Sequence, residues 1–262
     1  MIVFLGFTPH SPLLLESIGK ENTAKLKETR GAMETLSEDL YASQPDVIVT
    51  ISAHSGAHEN VFSINMHDEY VVDLKEFGDL STQATFYPDT ELVTEIRSQM
   101  KGKEISMTLD SFASLDYGVG VPLTLLMKKK KPKLVPVAYS HLSAKEHLLF
   151  GNILKEVFMN SKKRIAVIAS GDLSHCLTSS APAGFKKEGK KFDDTILQSV
   201  KDVSTAKLIS MDDELVKEAA ECAYKPLLIL FGIMERMKVK PELLSYESPF
   251  GVGHLVSEFH IL

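Results

Sequence analysis

Residues 164–176 read Arg-Ile-Ala-Val-Ile-Ala-Ser-Gly-Asp-Leu-Ser-His-Cys, and the fold turns on the first half of that stretch. Residues 165–169 form a short, unbroken apolar run. Such a run without alternation fits a strand buried on both faces, the habit of a parallel sheet covered by helices. The run stops abruptly at Ser170, Gly171 and Asp172, with His175 close behind. Either an ordinary loop begins there, or a rigid strand presents polar side chains at its tip.

Outward from this strand the same alternation continues. Short β-branched runs predict strands at 2–7, 47–53, 61–65, 105–109, 134–139, 164–169, 243–246 and 255–259. Amphipathic stretches predict helices at 23–42, 89–100, 122–127, 144–159, 185–200, 214–222 and 226–237. In the first helix Leu26, Met33, Leu36 and Leu40 recur at helical spacing, and Pro45 marks the exit. Strands alternating with helices imply a three-layer α/β/α fold around a mostly parallel sheet. The two closing strands, joined through Ser248-Pro-Phe-Gly-Val-Gly253, predict an antiparallel hairpin that makes this central sheet mixed. No repeat, linker or composition break divides the chain, so one domain over residues 1–262 is expected.

Composition narrows the function. Lys+Arg 29 against Asp+Glu 35 gives a net charge of −6, which argues against nucleic acid or an anionic membrane as partner. The basic run Lys128-Lys129-Lys130-Lys131 sits between apolar segments and reads as a solvated connecting loop. Two cysteines, Cys176 and Cys222, imply no disulfide framework and are consistent with a reducing compartment. The start MIVFLGFTPH has no basic leader region, and no stretch approaches the ~20 apolar residues of a membrane helix. A soluble, cytoplasmic protein is expected.

The strand ends carry the chemistry. The first predicted strand runs into Thr8-Pro-His10, the second into Ser52-Ala-His54, and the strand at 164–169 into Ser170-Gly-Asp-Leu-Ser-His175. Ligands of open α/β sheets bind outside the carboxyl ends of the strands, so the three histidines can share one cleft. Histidine serves there as a metal ligand or as an acid–base group. Two histidines with a carboxylate form the facial triad of non-haem Fe(II), and a similar set suits zinc with a bound water. Glu218 and Glu221, just before the apolar run 226–231, are the carboxylate candidates. His58 follows His54 by four but lies beyond Gly56, which makes it a loop residue. No G-x-S-x-G elbow is present for a serine hydrolase. The Gly-Val-Gly pairs at 118–120 and 251–253 are not a dinucleotide fingerprint. His67, His141, His147, His254 and His260 form no pattern.

Taken in order, TPHSPLLLESIGK, PDVIVTISAHSG, SLDYGVGVPL, IASGDLSH, EAAECAYKPLLILFGI and LSYESPFGVGHLV resemble the LigB-like family of class III extradiol ring-cleavage dioxygenases. The nearest variant is the LigB-like domain of AmmeMemoRadiSam system protein A, related to Memo, which is fused to a further domain expected to be absent here. The resemblance runs from the first strand to the last. It implies that His10 and His54 ligate a metal, Fe(II) in the ring-cleaving enzymes and Zn or Cu as alternatives. It implies that His175 is the catalytic acid–base, acting on a substrate hydroxyl. The third ligand is left between Glu221, as in the ring-cleaving enzymes, and Cys222, as in Memo-type relatives. Ring-cleaving members read Leu-Asp-His-Gly where this chain has Leu115-Asp-Tyr117-Gly118, so Tyr117 stands in place of a substrate-contacting histidine. The implied partners are a small aromatic diol and O2, in a chain compatible with a homo-oligomer. The alternatives are a zinc or copper site acting on another small molecule, or a Memo-like module holding a redox metal or a partner.

Overall fold

A computed structural model describes residues 1–127 and 131–262. Three of the four lysines of the basic run therefore lie outside the described residues, and with them most of the loop expected there. Eleven strands are described: β1 (Ile2–Thr8), β2 (Val47–Ser52), β3 (Phe62–Asn65), β4 (Tyr70–Asp73), β5 (Gln83–Phe86), β6 (Met107–Asp110), β7 (Ser114–Leu115), β8 (Lys133–Ala138), β9 (Ile165–Ser170), β10 (Val239–Glu247) and β11 (His254–Ile261). Eight form one sheet in the order β10-β11-β1-β9-β2-β8-β3-β6, and β5-β4-β7 form a second.

The strands β1, β9, β2 and β8 run parallel, with Thr8 paired to Ser170 and Ser52 to Ala138. Their carboxyl ends are therefore level. β11 runs antiparallel to β1 and β10 antiparallel to β11, which is the closing hairpin expected from the sequence. The architecture is a mixed α/β fold with helices flanking a large mixed sheet.

Every residue of β2 and β9 is buried, because both faces of the sheet are covered. Along β9, Ile165, Val167 and Ala169 join one core cluster, and Ala166 and Ile168 join the other. The first cluster packs the helices Ala144–Asn160, Lys187–Asp202 and Tyr224–Met234 against the sheet. The second is covered by the helices Lys27–Ala42 and Tyr117–Leu126 and by the small sheet, through Tyr70, Val72 and Phe86.

Several elements differ from expectation: the helix predicted at 214–222 ends at Glu218 and leaves Cys222 in a turn, and the short helix Thr205–Ile209 has no predicted counterpart. The helix predicted at 122–127 begins at Tyr117, so Pro122 lies inside it rather than at its first turn. The small sheet has no counterpart among the predicted strands, because its strands are only two to four residues long and each carries a polar residue at one end. No described helix is long and apolar enough to cross a membrane.

Candidate metal centre

The level strand ends bring the predicted histidines together. His10 lies two residues past β1 and His54 two past β2, on either side of β9, whose continuation carries Asp172 and His175. The Nε2 atoms of His10 and His54 face each other at 3.1 Å, and the Cys222 Sγ lies 3.3 Å from His10 Nε2. All three donor atoms fall within 4.8 Å of one another. Two imidazole nitrogens and a sulfur at such spacing suit one ion bonded at about 2.0–2.3 Å to each.

Local structure fixes each member. The Nδ1 of His10 is 2.8 Å from the Ser170 hydroxyl, and its backbone N–H donates to Asp172 at 3.1 Å. Burial pushes the His10 imidazole down to about 4, against the pull of Asp172, so it is neutral at pH 7 and ready to ligate. Burial lowers His54 as well. The His54 loop is fastened from below: its backbone N–H donates to Ser52 Oγ at 3.1 Å, and Ser52 donates to Asp116 at 2.7 Å. Ser55 also donates to Asp116. Gly118 allows this closeness, since a Cβ there would lie 2.4 Å from Ser52 Oγ.

Cys222 comes from the turn between the helices Asp213–Glu218 and Tyr224–Met234. Ala220 adopts a left-handed conformation at φ 52°, costly for a residue with a Cβ, and redirects the chain toward β9. There Cys222 N donates to Asp172 O at 3.1 Å, and Asp172 N donates to Cys222 Sγ at 3.2 Å. A Cβ on Gly171 would lie 2.4 Å from Ala223 Cα, so only glycine lets the two loops meet. Burial drives the Cys222 thiol well above its usual pKa, with Asp172 and Glu221 adding to the effect. A metal there must displace the thiol proton.

The two glutamates stand apart from this group. Glu218 is paired with Lys186 at 2.9 Å. The Glu221 carboxylate accepts the Tyr224 N–H at 2.6 Å, and burial raises it to about 7. His58, a loop residue as expected, sits 3.0 Å from Asp110.

Tyr117 stacks on His54 with ring centroids 4.3 Å apart, and its hydroxyl is 2.9 Å from His54 Nε2. Burial foremost, with Cys222, Asp172 and Asp116, raises its phenol, so at pH 7 it is a donor. His175 joins the wall of the same cavity, of about 550 Å³, with its Nδ1 buried and without a hydrogen-bond partner among the described residues. His254 shares that wall and no sequence pattern marked it. A usable signal existed: an antiparallel strand begins at the edge where its parallel neighbours end, and His254 opens β11.

The profile of the family described as "Catalytic LigB subunit of aromatic ring-opening dioxygenase" matches residues 5–257. Protein CA_C1420 of Clostridium acetobutylicum is 29% identical over 256 residues, 94% of this chain and 55% of the relative. The chain thus spans about half the length of that relative. The crystal structure of uncharacterized protein JW3007 from Escherichia coli K12 has 16% identity and superposes with a TM-score of 0.69, covering 98% of this chain and 99% of that one.

Proposed function

Because the chain belongs to the family of catalytic LigB subunits of aromatic ring-opening dioxygenases, we propose that it oxidises a small aromatic diol with O2 at a mononuclear metal centre formed by His10, His54 and Cys222. The observation that carries this reading is the convergence of two imidazole nitrogens and one thiol within 4.8 Å at the floor of a cavity. A bound redox metal would supply a binding point for the diol oxygens and for O2. The remaining work falls to the chain. His175 is the group free to take a proton from a diol hydroxyl and return it later; such assistance is worth about 10²–10⁴ in rate. Tyr117 donates a hydrogen bond toward the ligand and narrows the cavity, selecting against bulky diols. Leu13, Ile18, Phe77, Phe250 and Val252 line the cavity and favour a flat apolar ring over water.

A second reading is favoured by one feature, the sulfur ligand. Soft thiolate with imidazole suits copper or zinc, whereas Fe(II) oxygenases use a carboxylate beside two histidines. On this second reading the same His10, His54 and Cys222 group is Memo-like, and its role is redox or metal binding without ring opening. Zinc hydrolysis is a further form of this reading.

Metal analysis of the purified protein, with oxygen uptake on a panel of catechols, tests both. His10→Ala, His54→Ala and Cys222→Ala should lose bound metal while Glu221→Gln keeps it. Retention of metal by Cys222→Ala together with its loss in Glu221→Gln would return the third ligand to Glu221. His175→Ala should keep the metal and lose turnover. Oxygen consumption with an iron-loaded protein supports the oxygenase. Tight copper or zinc without consumption of any diol supports the second reading.

A further inference from the structure

His254 opens β11 and forms part of the cavity wall. It is 1% exposed, and neither ring nitrogen has a hydrogen-bond partner among the described residues. The other buried imidazoles differ. His10 is held by Ser170, and His147 by the Ser143 and Ser140 carbonyls. Buried polar groups are nearly always paired, and an exception calls for an explanation. Here the explanation is its position. β11 pairs with β1 in the register Gly6 to Glu258 and Phe7 to Ser257. This antiparallel pairing starts β11 at the edge where β1 ends, and His254 and His10 line the same cavity. The preceding Gly253 is hydrogen-bonded to the loop that carries His175, through Leu173 N to Gly253 O at 2.8 Å and Gly253 N to Ser174 O at 3.0 Å. Two imidazoles with uncommitted nitrogens therefore face one cavity that also holds the metal group.

We propose that His254 is a second polar anchor for the ligand of this cavity, binding a neutral oxygen substituent, hydroxyl or carbonyl, carried by the aromatic ring in addition to its diol. This rests on the diol reading above. Among the described residues the imidazole has no partner to fix its tautomer, so it can donate to a carbonyl or hydroxyl oxygen or accept from a hydroxyl. A carboxylate substituent is disfavoured, because Asp172 and Glu221 line the same cavity. The cavity volume leaves room for a substituted ring.

The test uses wild type, His254→Phe and His254→Gln, each loaded with zinc so that binding is read without turnover. Catechol, pyrogallol, 1,2,4-trihydroxybenzene and protocatechuate are the probes, titrated calorimetrically. Wild type should bind at least one of the trihydroxybenzenes roughly three- to tenfold more tightly than catechol, the range expected of one net hydrogen bond. His254→Phe should lose that preference, with unchanged zinc content and unchanged catechol affinity, and His254→Gln should recover part of it. Without metal or ligand, His254→Phe should melt at or above the wild-type temperature, since it removes two unpaired polar atoms. The inference is overturned if His254→Phe keeps the preference, if protocatechuate is the probe that it selectively loses, or if it melts well below wild type. Zinc-loaded wild type that binds no catechol at all overturns the diol reading itself, and the anchor with it.

Discussion

Ser170 shows how much one hydroxyl can decide. By engaging His10 Nδ1 it turns Nε2 toward His54 and Cys222 and fixes the ring, the usual task of a partner behind a metal-bound histidine. Ser170→Ala should therefore lower metal affinity about 10–100-fold, measured by competition with a chelator, and leave the fold intact. A different residue contributes to the pH dependence of stability. Asp193 is buried and raised to about 6, burial being the largest cause, while it accepts from Ser174 N and Tyr246 Oη. A carboxyl raised on folding stabilises the native state most at low pH. That contribution is lost as pH rises from about 4 through about 6. The stability of wild type relative to Asp193→Asn should fall over this window in paired urea titrations. That His10, His54 and His175 meet at one cavity was legible in the sequence, because each follows an apolar run that reads as a buried strand. Which of Glu221 and Cys222 lies beside His10 was not. It depends on one step of register in a turn, set by the left-handed Ala220 and by the fit of Cys222 against Asp172, and neither has a local sequence signature.

Elements bring in the rest of the centre, and their junctions are tight. The loop after β9 and the turn before the helix Tyr224–Met234 touch backbone to backbone at Gly171. Gly171→Ala should cost about 1–3 kcal/mol of stability, the range for overpacking a filled site. It should also reduce bound metal by moving Cys222 off His10. Chemical denaturation and metal content together check this. If stability falls and metal content does not, then Cys222 is not a ligand. The strands of the large sheet were readable from apolar runs alone. For the helix Tyr117–Leu126 the sequence points to a start at Pro122, because proline favours a first turn. Its true start belongs to Asp116, whose carboxylate is committed to Ser52 and Ser55 and not to capping. Tyr117 reaches His54 because the helix begins there.

At the scale of the molecule, the centre joins segments far apart in the chain: His10, His54 and Cys222. Metal that binds only the folded arrangement should add about 2.7 kcal/mol of stability at a free concentration of 100 Kd. The melting temperature should therefore rise with added metal in wild type and stay flat in His10→Ala. The strand that leads to His10 sits inside the sheet, between β9 and β11. On the ribosome β1 emerges long before either neighbour, and its apolar side chains and unpaired backbone groups must wait for residues 165 and 254 to be made. Such separations slow folding and leave an unpaired strand open to aggregation in the meantime. Nascent chains halted before β11 should be chaperone-dependent and unable to retain metal, so the centre matures only once β11 has been made.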